Sequence, residues 1–438
     1  MIWSEKVESI PCISFILPVY NMEHLPLRAQ PLPSDANQKK RKGILLMKRK
    51  LLRALCYLKE LLAILLCKLL GAVCRAFIPA YRGIWLVGER GTDARDNGYW
   101  FYRYLRTQHP ECRAYYVIAA DSPDAAKITA LGGAVQRGSF RHYLLYYCAD
   151  YLVGTHVQPC APDLMVHYHL AAKGIRARGK QVFLQHGVTM SEMQWMHREN
   201  LYLDLFVCGA KPEYEYIRDT YGFAPEVTRY LGMARWDHLL QAGQAPCKKM
   251  ILLMPTWRGS HYPEGEAFLD TPYYKAFDSL LSSARLDALL EQYGYTLVFY
   301  PHIEMQKHLS RFHAPSERVV LADSALYDVQ QLLLDCALLV TDHSSVFFDV
   351  AYLEKPELYY QFDEADYQRY HYQKGYFDFA RDGFGPVCTT EDALLQALET
   401  ALQHGMQMPP EYKARLAAFF PLRDTQNCAR IYEAICGL

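Results

Sequence analysis

Two series of short apolar segments constrain the fold of this chain more than any other feature. Each segment is continuously apolar, and helical patterns separate it from the next. Continuously apolar strands that alternate with helices are typical of parallel sheets covered by helices on both faces, so the two series predict two doubly wound, Rossmann-like α/β domains. Ligands are expected between the domains, at the carboxyl ends of the strands. The predicted strands are residues 84–87, 115–119, 151–153, 182–184 and 205–207 in the first series and residues 250–254, 296–300, 338–340 and 357–360 in the second.

The length of 438 residues accommodates two such domains and an additional segment. A polar stretch at residues 241–249 separates the two series of strands. The predicted parts are a poorly defined segment at 1–45, a basic amphipathic, membrane-associating helix at 46–80, an N-terminal α/β domain at 81–240, a C-terminal α/β domain at 248–424 and a closing helix at 425–438.

The helix before the first domain has a distinctive charge pattern. The sequence KKRKGILLMKRK occupies residues 39–50, and an apolar stretch follows it. Arg53, Glu60, Lys68 and Arg75 interrupt this stretch at spacings that keep them on one side of a helix. Such a helix suits the surface of an anionic membrane, where each basic residue contributes about 1 kcal/mol. The alternatives are a helix buried against the protein's own domains and, less favoured because charges are costly in hydrocarbon, a transmembrane span.

Charge and cysteine usage limit the class of protein and its location. Lys plus Arg and Asp plus Glu both number 47, so the net charge is zero and a nucleic-acid partner is not expected. The 13 cysteines include no C-x-x-C pair, which favours a reducing compartment without structural disulfides. The apolar run at residues 13–19 lacks the features of a secretory signal peptide. The expected location is therefore the cytoplasmic face of a membrane, as a peripheral protein.

Residues 339–349, LVTDHSSVFFD, place paired hydroxyls directly after an apolar strand. We expect Ser344 and Ser345 to be the cap and first-turn residues of the helix that follows. A helix N-terminus offers unpaired N–H groups and a partial positive charge, so added hydroxyls make it a good cradle for a diphosphate. The alternative is that Ser344 only caps the helix, because Ser, Thr and Asp are ordinary capping residues.

Polar motifs also occur at other predicted strand ends, where ligands are expected. The chain has no G-x-G-x-x-G after its first strand, no Walker phosphate loop and no D-x-D motif, so dinucleotide oxidoreduction and P-loop phosphotransfer lose support. The strand-end motifs are QHG at 185–187, GMARWD at 232–237, MPTWRGS at 254–260, YPH at 300–302 and TDHSS at 341–345.

Together with GERGTDARDNG at 88–98, KGYFD at 374–378 and GPV at 385–387, these motifs resemble the CDP-glycerol:poly(glycerophosphate) glycerophosphotransferase family, which contains teichoic-acid primases and polymerases. The resemblance implies a GT-B-like fold with a membrane-associated N-terminal helix, an acceptor-side N-terminal domain and a donor-binding C-terminal domain. The implied reaction transfers an alditol phosphate, foremost glycerol phosphate, from CDP-glycerol or CDP-ribitol to a hydroxyl of a lipid-linked or polysaccharide acceptor, and releases CMP. No cofactor or metal is obligatory for it. The product would be a teichoic acid or a capsule-like polymer of the cell surface.

The resemblance also assigns roles to residues of the motifs. His186 resembles the proposed general base, and His302 resembles the histidine that contacts the donor pyrophosphate. These roles agree with the chemistry, because a hydroxyl that attacks phosphorus must lose a proton and imidazole accepts protons near neutral pH. Arginine side chains would add bidentate contacts to phosphate. The expected substrate-binding residues are Gly187, Val188, Thr189, Arg235, Pro255, Thr256, Arg258, Tyr300, Asp342, Ser344, Ser345 and Asp349.

Some of these residues have a second interpretation. Arg258 and Asp237 could instead form an interdomain salt bridge, and Asp349 could form an ion pair on the face of its helix. His167 and His169 form an H-x-H pattern, but further ligands at suitable spacing are missing, so a zinc site is not favoured.

Two other functions are compatible with the sequence. A GT-B glycosyltransferase that uses a nucleotide sugar would share the fold and the phosphate-binding logic. A membrane-bound scaffold that recognises an anionic polymer without turnover would use the histidines only as ligands. Residues 188–192, VTMSE, also depart from the family, which usually continues T-P-L and basic residues after QHG. The sequence therefore predicts the type of reaction more firmly than the substrate.

Overall fold

The computed structural model describes residues 35–259, 262–370 and 373–438. Most of the segment predicted at 1–45 lies outside the described residues, as does Ser260 at the end of the MPTWRGS motif. The side chains of the basic cluster at residues 39–50 also lie outside them.

Strands and helices alternate through both α/β domains. The strands are β1 (Ile84–Gly88), β2 (Arg113–Ile118), β3 (Ala134–Gln136), β4 (Tyr151–Gly154), β5 (Lys180–Phe183), β6 (Leu205–Cys208), β7 (Thr228–Tyr230), β8 (Met250–Leu253), β9 (Thr296–Phe299), β10 (Val319–Leu321), β11 (Leu338–Thr341), β12 (Glu357–Tyr360) and β13 (Val387–Cys388). The α-helices are α1 (Asp35–Phe77), α2 (Asn97–Gln108), α3 (Ala125–Leu131), α4 (Phe140–Cys148), α5 (Leu164–Ala172), α6 (Lys211–Thr220), α7 (Ala234–Ala242), α8 (Pro272–Leu281), α9 (Ala284–Tyr293), α10 (Val329–Asp335), α11 (Phe347–Tyr352), α12 (Glu364–Tyr370), α13 (Phe379–Asp382), α14 (Glu391–Gln403), α15 (Pro410–Phe419) and α16 (Asn427–Cys436).

The N-terminal domain is built on a seven-stranded parallel sheet with the order β3-β2-β1-β4-β5-β6-β7. Strand β1, IWLVG, is buried along its whole length, as a strand covered by helices on both faces must be. In the register of the sheet, Leu86 lies between Tyr115 of β2 and Leu152 of β4. The chain proceeds outward from β1 through β2 to β3 and then returns to β4 on the other side. The topological switch point of this sheet, where ligands of such folds bind, therefore lies between β1 and β4.

The C-terminal domain repeats this arrangement with a six-stranded parallel sheet of order β10-β9-β8-β11-β12-β13. Its central strands β8, MILL, and β11, LLVT, are fully buried. Its switch point lies between these two strands. Two doubly wound parallel sheets confirm the predicted fold class.

The two domains share an apolar core where they meet. Trp236 of α7 is fully buried, and its ring stacks on Tyr352 of the C-terminal domain with 4.2 Å between the centroids. The edge of Phe420 also packs against Trp236. Val188, directly after the QHG motif, belongs to the same core. Burial of each such side chain contributes about 2 kcal/mol, so this core fixes the QHG loop at the domain junction.

The closing helix α16 packs on the N-terminal domain, although the strands before it belong to the C-terminal one. Tyr432 stacks on Trp85 of β1 with 5.6 Å between the ring centroids. Asp237 accepts hydrogen bonds from the backbone N–H groups of Asn427 and Cys428 at 2.9 and 2.8 Å. Asp237 therefore anchors the start of α16, and it does not form the salt bridge with Arg258 that the sequence left open.

Helix α1 packs one face against the N-terminal domain. Ile64 lies in a core with residues of α4 and β1. The hydroxyl of Tyr143 donates to the Glu60 carboxylate at 2.7 Å, and Arg75 forms a bidentate ion pair with Asp150 at 2.7 Å. Two of the charged residues that the sequence places on one side of the helix thus face the protein itself.

The opposite face of α1 is apolar and exposed. We call the apolar side chains on this face the outer stripe of α1. In the part of the chain that the structure describes, no helix combines the length and the hydropathy that a membrane crossing requires. The outer stripe comprises Leu51, Leu55, Leu58, Leu62, Leu65, Leu66, Leu69, Val73 and Phe77.

Candidate active site

The QHG motif forms a sharp turn after β5. Gln185 has a left-handed backbone conformation, with φ of 59°, and buried hydrogen bonds hold it there. Its side-chain amide donates to the carbonyl of Val207 at 2.8 Å and to the carboxylate of Glu213 at 3.0 Å. The hydroxyl of Thr189 donates to the Gln185 side chain at 2.8 Å. This buried network fixes the turn on its protein side. The side chain of His186 lies on the solvent side and is 66% exposed.

His186 is paired with a carboxylate that we did not select from the sequence. Its Nδ1 atom lies 2.5 Å from Oδ2 of Asp96, which directly precedes α2. Burial raises the pKa of Asp96, but the attraction of His186 and Arg235 outweighs burial and lowers the pKa to about 2. The ionised carboxylate orients the imidazole with Nδ1–H toward Asp96 and with the Nε2 lone pair away from it. His186 thus has the arrangement of a base with an orienting acid.

Glu89 shapes the loop that presents Asp96. Its carboxylate accepts hydrogen bonds from the backbone N–H groups of Arg95, Asp96 and Tyr99 at 3.0, 3.0 and 2.7 Å. Burial, together with the negative charges of Asp96 and Asp93, raises the pKa of Glu89 to about 8. Because these N–H groups belong to the start of α2, Glu89 takes the place of a helix cap and fixes the position of Asp96.

Arg235 connects Asp96 to the C-terminal domain. Its Nη1 donates to Oδ1 of Asp96 at 2.8 Å and to the carbonyl of His186 at 2.7 Å. Its Nε and Nη2 form a bidentate pair with Asp349 of α11 at 2.8 and 2.9 Å. The indole N–H of Trp236 also donates to Asp349, at 2.7 Å. In this structure, Arg235 and Asp349 thus form an interdomain ion pair, and substrate binding by either side chain stays a prediction.

A second ionic cluster joins the loops after β8 and β11 in the C-terminal domain. Asp342 accepts the backbone N–H groups of Thr256 and His343 at 2.8 and 2.6 Å, and it pairs with Nη2 of Arg258 at 2.7 Å. Arg258 also pairs with Asp363 at 2.7 Å. Burial lowers the pKa of Arg258, but the two carboxylates outweigh burial and raise it. This cluster therefore fixes the loops at the switch point of the second sheet.

His302 follows β9, the strand beside β8. Its Nδ1 accepts a hydrogen bond from the backbone N–H of Glu304 at 3.2 Å. The neutral ring therefore carries its proton on Nε2, where it can donate to an anionic oxygen. The ring of Trp257 lies nearly parallel to it, with 6.1 Å between the centroids.

Ser344 and Ser345 lie in a tight turn before α11. The helix begins at Phe347, and its N-cap residue Val346 already has a helical conformation and makes no side-chain cap. The N–H groups of Phe347 and Phe348 bond to the carbonyls of Ser344 and Ser345 at 3.4 and 3.2 Å. Oγ of Ser344 accepts the N–H of Val346 at 3.5 Å, as expected of a capping side chain, but the helix starts later than predicted, because i→i+3 backbone hydrogen bonds form its entry. We call Ser344 and Ser345 the serine turn.

The two domains approach each other closely at Gly187. A methyl group at this position would lie 3.3 Å from Oγ of Ser345 and 3.9 Å from Nη2 of Arg235. The absence of a side chain thus permits the contact between the QHG loop and the serine turn. His186, the preceding residue, lies next to this contact.

The remaining predicted substrate-binding residues lie in the interior of the protein. Val188, Thr189, Pro255, Thr256 and Tyr300 are buried, so a role in substrate binding stays a prediction for each of them. Direct contacts bring together two groups of predicted residues. The first group comprises His186, Gly187, Arg235, Ser345 and Asp349, and the second comprises Thr256, Arg258 and Asp342.

Asp96 and two further polar residues near His186 did not emerge from the sequence. Arg90 follows β1, and its Nε donates to Nε2 of His156, which follows β4, at 3.4 Å. The rings of His156 and His186 lie 6.2 Å apart. The motif GERGTDARDNG contains both Arg90 and Asp96, so its position after a predicted strand was the signal that could have identified them.

The H-x-H pattern lies away from these groups, on α5. His167 is buried and contacts the hydroxyl of Tyr147 at 3.0 Å and the carbonyl of Asp163 at 2.6 Å, and His169 is exposed. Across residues 35–259, 262–370 and 373–438, no group of three His, Cys, Asp or Glu side chains is arranged to hold a metal ion.

A cavity of about 240 Å³ lies where the loop after QHG meets the C-terminal domain. Glu192 pairs with Gln373 as an antiparallel bridge at its edge. Gly375 lies against Met190, and a methyl group at this position would clash with the Met190 carbonyl oxygen. Met190 and Ser191, from the segment that departs from the family pattern, thus line this cavity.

Comparisons with known proteins agree with the fold. A structure of the wall teichoic acid polymerase TagF superposes with a TM-score of 0.62 at 17% identity, and the match covers 91% of this chain and 98% of that one. At this level of identity, the match shows a shared fold.

Sequence comparison is more specific. The minor teichoic acid biosynthesis protein GgaB of Bacillus subtilis (strain 168) is 29% identical over 368 residues, which are 81% of this chain and 40% of that protein. The teichoic acid poly(glycerol phosphate) polymerase of the same strain is 31% identical over 191 residues, which are 43% of this chain and 24% of that protein. The matched region is thus less than half the length of either relative. The sequence model of one family matches residues 76–437, and this protein therefore belongs to the CDP-Glycerol:Poly(glycerophosphate) glycerophosphotransferase family.

Proposed function

We propose that this protein transfers an alditol phosphate, foremost glycerol phosphate, from a CDP-linked donor to a hydroxyl of a lipid-linked or polysaccharide acceptor and releases CMP. The observation that carries the proposal is the pair of His186 and Asp96 at the domain junction, beside the contact between Gly187 and the serine turn. Membership of the family supplies the class of reaction. The names of GgaB and of the poly(glycerol phosphate) polymerase support a teichoic acid or a related cell-surface polymer as the product.

The acceptor is activated on the N-terminal side of the junction. Its hydroxyl gives its proton to Nε2 of His186, and its oxygen attacks the phosphorus that carries the alditol. Asp96 balances the positive charge that forms on the imidazole and keeps the ring in the orientation needed. A new P–O bond forms between acceptor and alditol phosphate. The bond from that phosphorus to the bridging oxygen breaks, and its electron pair leaves with CMP.

The leaving group is stabilised from the C-terminal side. Negative charge develops on the CMP phosphate as the bridging bond breaks. His302 carries its proton on Nε2 and can donate a hydrogen bond through it to this phosphate, and the hydroxyls of the serine turn add neutral donors. Donors that are already fixed before the reaction need no reorganisation at the transition state.

The outer stripe of α1 is proposed as the contact with the membrane that holds the acceptor. Its leucines are exposed along several helical turns, and the sequence KKRKGILLMKRK precedes them. Lys59 and Lys68 are also exposed on the described part of the helix. An apolar face with basic residues at its margins is the pattern of a helix that lies in the interface of an anionic leaflet. The cytoplasmic face is the proposed side, because CDP-linked donors are soluble nucleotides.

CMP release tests the proposed reaction. Purified protein is offered CDP-glycerol, CDP-ribitol and a panel of nucleotide sugars, each with a lipid-linked acceptor. We expect CMP from one CDP-alditol, and we expect His186→Ala and His302→Ala to lose it. His169→Ala is the matched control, because His169 is an exposed histidine on α5 of the same domain.

Turnover of a nucleotide sugar alone would replace the proposal by a GT-B glycosyltransferase. Binding of an anionic polymer without turnover of any donor would replace it by the non-catalytic scaffold.

A further inference from the structure

Three neighbouring strands bring three basic side chains to one edge of the N-terminal sheet. Strands β1, β4 and β5 are adjacent in the sheet, and Arg90, His156 and His186 follow them in that order. Adjacent strands lie about 4.8 Å apart, so residues at their carboxyl ends form a row. Arg90 and His156 flank the switch point between β1 and β4, which is where a sheet of this topology binds its ligand.

His156 is held as a neutral acceptor for Arg90. Its Nδ1 lies 2.9 Å from the hydroxyl of Thr155, and its Nε2 accepts the Nε–H of Arg90 at 3.4 Å. Burial lowers the pKa of His156 to about 3, and the positive charges of His186 and Arg90 act in the same direction. A neutral ring can keep its Nε2 lone pair for Arg90. His156 therefore orients the guanidinium without adding charge.

Arg90 presents its remaining donors to solvent. Its side chain is exposed, and within the described residues its polar contact is with Nε2 of His156. Asp93 interacts electrostatically with both Arg90 and His186, and burial raises the pKa of that carboxyl. The Nη1 and Nη2 groups of Arg90 thus remain for a bidentate contact with an anion, and phosphate is the anion that matches this geometry.

The spacing of the row matches the length of one alditol phosphate unit. The ring centroids of His156 and His186 are 6.2 Å apart. In an extended glycerol phosphate unit, five bonds of about 1.5 Å separate the terminal hydroxyl oxygen from the phosphorus of the next phosphodiester, a span of about 6 Å. A hydroxyl at His186 would therefore place that phosphodiester beside the pair of Arg90 and His156.

We propose that Arg90 binds the phosphodiester of the acceptor's terminal alditol phosphate unit, and that His156 positions Arg90 for this contact. The subsite would select acceptors that already carry an alditol phosphate one unit from the attacking hydroxyl. This inference rests on the proposed function, because it names the acceptor of that reaction. The other phosphate near His186 would be that of the CDP-linked donor, and the experiment separates the two sources.

The test compares two acceptors of equal shape and different charge. One is a short oligo(glycerol phosphate) on a lipid, and the other carries a neutral methylphosphonate in place of the phosphodiester nearest the terminal hydroxyl. For the wild type, we expect the acceptor KM to be at least about tenfold lower with the phosphodiester, which is the usual contribution of a charge-assisted contact. For Arg90→Gln, we expect equal KM values for the two acceptors and a donor KM within about twofold of wild type.

Two further variants complete the design. Arg229→Gln is the matched control, because Arg229 is an exposed arginine on the edge strand β7, and it should discriminate between the acceptors as the wild type does. His156→Gln should raise the KM for the phosphodiester acceptor and change kcat little, since the His156 side chain acts on the acceptor only through Arg90. A purely structural loss would lower kcat for both acceptors. That result would overturn the positioning role of His156.

Two results would overturn the subsite. One is a rise of the acceptor KM in Arg90→Gln that is equal for both acceptors, and the other is a rise of the donor KM instead. Equilibrium binding of the two oligomers to the full chain decides the inference independently of turnover. If the wild type releases no CMP from any CDP-alditol, the proposed function fails. Preference for the phosphodiester that disappears in Arg90→Gln would still support the subsite, and equal binding of both oligomers would refute it.

Discussion

Replacement of Asp349 by asparagine tests whether the interdomain ion pair holds the site together. The side chains of Arg235 and Asp349 are only 10% and 6% exposed, so water screens their interaction little. In the variant, Arg235 stays charged and keeps only Asp96 as a counter-charge, because guanidinium does not lose its proton in proteins. Removal of one partner of a buried pair costs about 3–5 kcal/mol. Asparagine keeps the volume of the side chain and can still accept the hydrogen bond from the Trp236 indole. We therefore expect a cost at the lower end of this range, about 3 kcal/mol.

Thermal unfolding measures this cost. Each 1 kcal/mol lowers the Tm of a domain of this size by about 2–4 °C, so the Tm of Asp349→Asn should fall by about 6–12 °C. Asp219→Asn is the matched control. Its carboxylate pairs with Arg218 at 2.7 Å, but it is 59% exposed, and exposed ion pairs add little to stability because water screens them. If Asp349→Asn melts within about 2 °C of the wild type, as the control should, the ion pair does not hold the domains and the reasoning is refuted.

Further predictions concern the base, the junction and the membrane face. Asp96→Asn should lower kcat by about 10²–10⁴ in the CMP assay with little change in donor KM, because an amide no longer fixes the base; a change of less than about fivefold would exclude the orienting role. The pKa of Asp96 is lowered from 3.8 to about 2, so its contribution to stability, about 2 kcal/mol, is present above pH 4 and is lost as the pH falls through 2. The difference in the free energy of unfolding between wild type and Asp96→Asn, measured with urea, should therefore decrease as the pH falls from 5 to 2. A difference that stays constant would contradict this. Gly187→Ala should lower activity by about tenfold, because the added methyl group would lie 3.3 Å from Oγ of Ser345 at the junction; unchanged activity would show that the contact is not needed. Leu65→Glu should weaken binding to vesicles of anionic lipid by about 30-fold, whereas Leu326→Glu, at an exposed leucine of the C-terminal domain, should not; equal binding of both variants would remove the membrane role of α1.

The central strands were predictable from the sequence, and the edge strands were not. Every predicted strand corresponds to an observed strand, within two residues at each end. The strands that escaped prediction are β3, β7, β10 and β13, and these are the outermost strands of the two sheets. They have two or three residues each and are only partly buried. A continuous apolar run arises only where both faces of a strand are covered, so the pattern that identifies central strands is absent at the edges.

The positions of the strand-end motifs were predictable from the sequence, but the contacts between them were not. QHG, YPH and TDHSS lie at the carboxyl ends of strands, as expected, because parallel topology alone determines that position. The pairing of His186 with Asp96 joins residues 90 positions apart, and that of Arg235 with Asp349 joins residues 114 positions apart. Such pairings depend on the order of strands and on how the two domains meet, and local sequence patterns contain neither.

The same contacts make the orientation of His186, the proposed base, depend on the arrangement of the domains. Arg235 is the common partner of Asp96 in the N-terminal domain and of Asp349 in the C-terminal domain. If the domains separated, Arg235 would lose Asp349, and Asp96 would remain as its partner. Asp96 would then be shared between a mobile guanidinium and His186, so the imidazole would be held less firmly. His186 should therefore be fully oriented only when the serine turn has reached Gly187, that is, when the C-terminal domain is in place. In the proposed reaction, an acceptor hydroxyl would be activated only while the C-terminal domain, the proposed site of the donor, faces it, which would limit the loss of donor to water.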